Sequence, residues 1–81
     1  MVKYVKAKRD LTSNSVTSWR VYKGRYDDSG ELLFDRFVDD FDFEDTAIDF
    51  AKSIATSKNP CRVVMQYYDG DYYDEVVWSS I

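Results

Sequence analysis

The sequence contains no histidine and a single cysteine, Cys61. The absence of histidine removes the usual general base and the most common metal ligand. One cysteine excludes an intramolecular disulfide and cannot supply the ligands of a structural zinc site. Cys61 opens an apolar run, which predicts a buried structural thiol. We therefore expect a protein that is not an enzyme and that binds no cofactor and no metal.

Glycine and proline are also scarce, with three glycines and one proline in 81 residues. The glycines stand far apart, at 24, 30 and 70, so there is no glycine-rich phosphate loop. The small number of glycine and proline residues, which interrupt helices and strands, and the 44% of hydrophobic residues disfavour disorder. A chain of this length closes one core, which predicts a single domain over residues 1–81.

No apolar stretch approaches the roughly 20 residues that a membrane-spanning helix needs. The first eight residues alternate between apolar and basic side chains, unlike the apolar block of a signal peptide. We expect a cytoplasmic protein with no membrane partner.

Charge is divided unevenly along the chain. Residues 1–26 hold seven cations and one acid, whereas residues 27–81 hold four cations and fourteen acids. The net charge of −4 conceals this division. Such a split is typical of proteins with a charged partner.

Alternating apolar residues and turn signals predict five strands and one helix in the order β-β-β-α-β-β. This is an α+β fold, with an antiparallel sheet and one helix packed on one face. The predicted strands are residues 3–8, 17–26, 32–41, 61–68 and 72–81. Gly30 and the Asp69-Gly70 pair mark the two hairpin turns.

The helix is predicted between Asp42, as its cap, and Asn59-Pro60, which stops it. Its first turn is acidic, as the positive end of the helix dipole favours. One apolar stripe follows the helical period and should face the sheet: Ala47, Ile48, Ala51, Ile54 and Ala55.

Three short segments resemble a small bacterial and phage family of unknown function. They are Trp19-Arg20-Val21, then Thr46-Ala47-Ile48 with Ala51 and Ala55, and lastly Val63-Val64 leading to Asp69-Gly70. The resemblance covers residues 19–72 and implies the same β-α-β type of domain. The acidic residues 35–45 and the basic N-terminal strand, residues 3–8, depart from the pattern of this family. The resemblance implies no functional residue.

The most unusual segment is residues 35–45, with six acids and one base, followed by Asp49. One interpretation is a solvated strand end and helix start. A second is a divalent-metal site, which the lack of calcium-loop spacing and of its central glycine disfavours. A third is an imitation of the regular negative charge of a nucleic-acid backbone.

Two other segments suit binding. Four tyrosines and four acids surround the turn at Asp69-Gly70, where cross-strand pairing competes with a partner-binding role. The basic N-terminal region interleaves cations with aromatics, which suits single-stranded nucleic acid or pairing with the acidic strand.

The leading hypothesis is a small phage or mobile-element inhibitor that occupies a basic surface of a nucleic-acid-processing enzyme, of anti-restriction or anti-CRISPR type. Its partner-binding residues would be Asp39, Asp40, Asp42, Glu44, Asp45, Asp49, Tyr68, Asp71 and Tyr72. The alternative is a nucleic-acid-binding module that uses Lys3, Lys6, Lys8, Arg9, Trp19, Arg20 and Lys23. A third hypothesis is a structural domain that forms a homodimer through a sheet edge.

Overall fold

The computed structural model describes residues 16–68 and 70–81. These residues form four strands and one helix, which confirms the α+β class and the antiparallel sheet. The first predicted strand, residues 3–8, lies outside the described residues, so the five-strand sheet is not confirmed. The elements are β1 (Val16–Tyr26), β2 (Leu32–Phe41), α1 (Glu44–Ile54), β3 (Cys61–Tyr68) and β4 (Tyr72–Ser79).

The strands lie in the order β2-β1-β3-β4. Both β2 and β3 pair with β1 in antiparallel fashion. The two strands that flank β1 therefore run in the same direction, and both end at the same end of the sheet. The segment with α1 connects them and crosses one face.

The core lies between α1 and that face. Alternation along β3 buries Cys61, Val63, Met65 and Tyr67, as their spacing predicts. The helix stripe predicted from the sequence also packs here, with Ala47 and Ala51 buried and Ile48, Ile54 and Ala55 half-buried against the core. Cys61 is a buried free thiol, and its burial raises the pKa of the thiol.

The predicted ends of the helix are wrong. Phe43, not Asp42, is the N-cap residue, and no side chain caps the helix there. The helix ends at Ile54, before Asn59-Pro60, because the intervening residues form their own loop. Its Asn59 Nδ2 donates to the Gly24 carbonyl at 2.9 Å, which fastens the loop to β1.

Strand β2 shows apolar residues on both faces because its register against β1 shifts twice. The first shift falls between Val21 and Tyr22 and the second between Lys23 and Arg25. As a result Val38 and Phe41 pack against the core, whereas Phe37 is 51% exposed. Side chains of β2 therefore do not alternate strictly between the two faces of the sheet.

Candidate interaction surface

Six of the predicted acids lie where β2 ends and α1 begins, and we call them the acidic run: Asp39, Asp40, Asp42, Glu44, Asp45 and Asp49. Asp39 and Asp40 are exposed near the end of β2, and Asp42 is exposed in the two-residue connection. Asp45 and Asp49 are exposed along α1, four residues apart. These five predicted residues are thus all exposed, in consecutive parts of the chain from β2 to α1.

Glu44 differs from its neighbours because it is half-buried. The indole Nε1 of Trp19 donates to Glu44 Oε1 at 3.3 Å. This bond ties the first residue of α1 to the central strand β1. Glu44 therefore helps to place the helix in addition to any contribution to surface charge.

The other carboxylates of residues 39–49 form no ion pair within the described residues. Asp39 Oδ1 accepts from the Asp40 backbone N–H at 2.8 Å, and Asp45 Oδ1 accepts from the Thr46 N–H at 3.0 Å. Asp40, Asp42 and Asp49 show no side-chain hydrogen bond or ion pair with the described part of the chain. Within the described residues, these carboxylates are therefore not paired with a cation.

Acids at the opposite end of the sheet have structural roles. Asp35 and Arg25 form a bidentate pair, with Nη2 to Oδ2 at 2.8 Å. Asp27 Oδ1 accepts from the Ser29 N–H, the Ser29 hydroxyl and the Glu31 N–H at 2.7–3.0 Å. The pKa of Asp35 is lowered by its bond to Arg25, and that of Asp27 by its bond to Ser29. These two acids are used to build the β1–β2 hairpin, whereas Asp40, Asp42 and Asp49 have no such role among the described residues.

Phe43 is a functional candidate that the sequence did not single out. It stands inside the acidic run, in extended geometry at the helix N-cap, and is 67% exposed. Ser, Thr, Asp or Asn at this position stabilises a helix, and an exposed phenyl ring does not. Its place between Asp42 and Glu44 was the available signal. Aromatic side chains are enriched at interaction surfaces, so an exposed ring here is a candidate for a contact.

Tyr67 and Tyr68 of β3 and Tyr72 and Tyr73 of β4, which we call the tyrosine hairpin, form the cross-strand pairs expected of aromatics on neighbouring strands. The rings of Tyr68 and Tyr72 meet edge to face at 5.1 Å, and those of Tyr67 and Tyr73 stack at 5.6 Å. Tyr67 is buried, but Tyr68 and Tyr72 remain 48% and 64% exposed. The pairing therefore stabilises the hairpin and still leaves an exposed aromatic pair.

The fold brings the acidic run and the tyrosine hairpin to the same end of the sheet. Trp19 of β1 lies opposite Phe41 of β2 on one side and Met65 of β3 on the other. Two strand spacings, about 10 Å, separate β2 from β3 in this row. The acidic connection follows Phe41 directly, and the tyrosine turn follows Met65 by a few residues.

The predicted residues do not all share one face. Tyr68 follows Arg62, Val64 and Gln66 along β3 on the face opposite α1, because the alternate residues of β3 form the core. Asp49 lies on the helix, against the other face. One partner that binds at this end of the sheet would contact residues 39–45 and Asp71 more easily than it would contact Asp49. We call residues 39–45 with Asp71 the acidic end.

The residues of the alternative nucleic-acid module are dispersed. Lys3, Lys6, Lys8 and Arg9 lie outside the described residues. Trp19 is half-buried against the core, and Arg20 is on the opposite face. Lys23 lies near the other end of β1, opposite Arg36. The described members thus form no single surface.

The described residues include one small hollow and no cluster arranged to hold a metal ion. A hollow of about 30 Å³ next to the β1–β2 pair is large enough for one water molecule. Across residues 16–68 and 70–81, no group of three or more acids or cysteines is arranged to hold a metal ion. In the same part of the chain, no helix has the length and apolar character needed to cross a membrane.

Comparisons with protein-family models, curated proteins and solved structures found no match. The resemblance to a small bacterial and phage family therefore remains a prediction.

Proposed function

We propose that this chain is a non-enzymatic binding protein whose acidic end occupies a basic, nucleic-acid-binding surface of another protein. The observation that carries the proposal is the contrast between the two ends of the sheet. Asp27 and Asp35 are held by hydrogen bonds, whereas Asp40 and Asp42 are exposed and form no ion pair among the described residues, even though Arg20 lies in register with Asp40. Unneutralised charge at one place on a surface attracts a partner of opposite charge.

Phe43 and the tyrosine hairpin add the apolar part of such a contact. Hot spots of binding are enriched in aromatic side chains, while surrounding charges mainly govern association rate and specificity. Phe43 lies within the charged run, and Tyr72 lies at the same end of the sheet. An acidic rim with aromatic anchors is the composition expected of a protein that competes with nucleic acid for a cleft.

Nucleic-acid-processing enzymes are the partner class that this chemistry fits, because their channels are lined with lysine and arginine for phosphate contact. Carboxylates held on a folded surface would enter such a channel and exclude the substrate. A phage or mobile-element inhibitor of a restriction or CRISPR nuclease would act in this way.

The test is competition. The protein is immobilised and incubated with host lysate, and bound proteins are eluted either with duplex DNA or with an uncharged polymer of similar size. A partner that DNA releases, and whose DNA binding the purified chain inhibits, supports the proposal. A partner that DNA does not release would contradict nucleic-acid mimicry. A dimer in solution with no captured protein would favour pairing through the β2 or β4 edge.

The matched control is a pair of isosteric variants. D40N/D42N removes two charges from the acidic end, and D28N/E31Q removes two from the β1–β2 turn without touching the Asp27 carboxylate. The proposal requires that D40N/D42N captures the partner much less well than D28N/E31Q does.

A further inference from the structure

The sheet face opposite α1 carries two arginines in an aromatic setting. Arg20 and Tyr22 project there from β1, since Trp19 and Val21 belong to the core side. Arg62 and Val64 are their register partners on β3, with Tyr22 opposite Arg62 and Arg20 opposite Val64. None of the described elements packs over this face, because α1 covers the other one.

Aromatic rings support both guanidinium groups. The Arg62 guanidinium lies 3.9 Å from the centroid of the Phe34 ring, within cation–π distance. The Arg20 guanidinium lies 5.9 Å from the centroid of Phe37. Tyr22 meets Phe37 edge to face, also at 5.9 Å between centroids. The rings limit the conformations of both cations and orient them before any ligand arrives.

The two arginines are close to each other. They occupy diagonal positions on neighbouring antiparallel strands, which places their backbones roughly 7–8 Å apart. Two like charges at this separation repel each other. Asp40 lies opposite Arg20 on β2, but the two form no ion pair. An anion between the guanidinium groups would relieve the repulsion.

The nitrogen atoms point to the same conclusion. Arg20 Nε and Arg62 Nε are both buried and have no hydrogen-bond acceptor among the described residues. A buried donor without an acceptor is costly, and a missing ion is one of its recognised explanations. Two such donors on neighbouring arginines of one face make an oxyanion the simplest common acceptor.

We infer that Arg20 and Arg62 form a binding site for the phosphate group of a nucleotide. Guanidinium groups suit phosphate because their planar N–H donors match its oxygens, and an aromatic side chain provides a stacking surface for a base. Phe37, which is half exposed beside Arg20, supplies that surface. A free nucleotide and a nucleotide of a single-stranded nucleic acid share this chemistry. The inference does not depend on the proposed function of the acidic end.

The test uses the arginine Nε–H resonances in NMR spectra of the full chain. Inorganic phosphate, adenosine monophosphate and a short oligothymidine are titrated separately at low ionic strength. We expect saturable shifts of the Arg20 and Arg62 signals and unchanged signals from Arg25 and Arg36. Similar affinity for the mononucleotide and the oligonucleotide identifies a free nucleotide as the ligand, and much tighter oligonucleotide binding identifies a single strand.

Lysine variants separate guanidinium recognition from net charge. R20K and R62K keep the charge but remove the Nε donor, and each should weaken binding about ten-fold or more. R36K is the matched control on β2 and should leave the affinity unchanged. Near-UV circular dichroism verifies that each variant is folded. The inference is overturned if no ligand causes a saturable shift of either signal, or if all three variants lose affinity equally.

Discussion

At the scale of single residues, Gly24 links the sheet to the arginine face. A Cβ atom at this position would lie 3.0 Å from Leu32 Cδ1 and 3.0 Å from Phe34 Cε1. The absence of a side chain therefore lets the Phe34 ring lie close to the β1 backbone. Arg62 packs on that ring from β3, so the three strands meet at this point.

Replacing Gly24 with alanine should destabilise the protein by about 1–3 kcal/mol, because an added methyl group in a filled space forces neighbours to move. Phe34 is constrained in its movement by Arg62. Urea unfolding followed by fluorescence measures the change. G30A is the contrast: its backbone has φ of +86° with nothing within 4 Å of the new methyl group, so its cost comes from conformation alone.

A double-mutant cycle identifies the source of the G24A effect. F34L replaces the ring with a smaller side chain. It should reduce the loss of unfolding free energy caused by G24A, whereas the loss caused by G30A should not change. If G24A costs as much in the F34L background as in the parent, contact with the Phe34 ring is not its cause.

At the scale of elements, the start of α1 combines poor capping with an exposed ring. Phe43 has the extended backbone that an N-cap residue needs, but it cannot accept the N–H bonds of the first turn. F43S should therefore stabilise the protein by about 0.5–2 kcal/mol. For a domain of this size, each kcal/mol corresponds to roughly 4–8 °C in Tm.

Thermal unfolding of the parent, F43S and F43A tests this expectation. F43A removes the ring without adding a cap, so it should not reproduce the gain in Tm. Both variants should bind the captured partner less well, since both remove the aromatic contact. A lower Tm in F43S would mean that packing of the Phe43 ring stabilises the protein more than a serine cap does.

The β1–β2 hairpin should make stability depend on acid pH. The pKa values of Asp27 and Asp35 are lowered from the ordinary 3.8 in the folded chain. A carboxyl group with a lowered pKa stabilises the fold above its unfolded value, and that contribution is lost as the pH falls through the folded value. Asp35 is exposed and Asp27 is only partly buried, so we expect a modest decline below about pH 4.

Variants assign this decline to its source. R25Q removes the hydrogen bond that dominates the shift of Asp35, and D27N removes the titrating group at the turn. Each should flatten part of the pH profile in chemical unfolding between pH 2 and pH 6. An unchanged slope in R25Q/D27N would locate the acid sensitivity elsewhere in the chain.

Local patterns predicted the elements of the fold better than their arrangement. Alternation placed β2 and β3 correctly and identified the buried face of β3, since the period of a strand is a local property. Asp42 has the right chemistry for a cap, but the chain enters the helix one residue later. The diagonal placement of Arg20 and Arg62 was not predictable. It depends on the insertion of β1 between β2 and β3, which no single segment encodes.

The candidate surface also depends on the arrangement of the elements more than on local patterns. The acids and tyrosines were recognisable as unusual clusters, but the crossover of α1 brings them to one end of the sheet. The two register shifts of β2 made the exposure of Phe37 unpredictable from its spacing. The position of Phe43 at the N-cap could be predicted only if the first residue of the helix were known exactly.

At the scale of the whole molecule, charge differs between the two ends of the described sheet. The β1–β2 turn end is mixed, with Lys23, Arg25 and Arg36 near Asp27, Asp28, Glu31 and Asp35. At the acidic end, Arg20 lies in register with Asp40 without forming an ion pair. This polarity should orient the protein as it approaches a cationic surface.

Binding to the captured partner should therefore weaken steeply with salt, because exposed charges are screened beyond roughly 8 Å at physiological ionic strength. D40N/D42N should lose more affinity than D28N/E31Q and should also show a shallower salt dependence. Both pairs change the net charge equally, so unequal losses would reflect local charge, while a general net-charge effect requires equal losses. Calorimetric titrations of the purified partner at two salt concentrations distinguish these results. Equal losses with little salt dependence would contradict the acidic end as the contact and leave the exposed pair Tyr68 and Tyr72 as the apolar surface to test next.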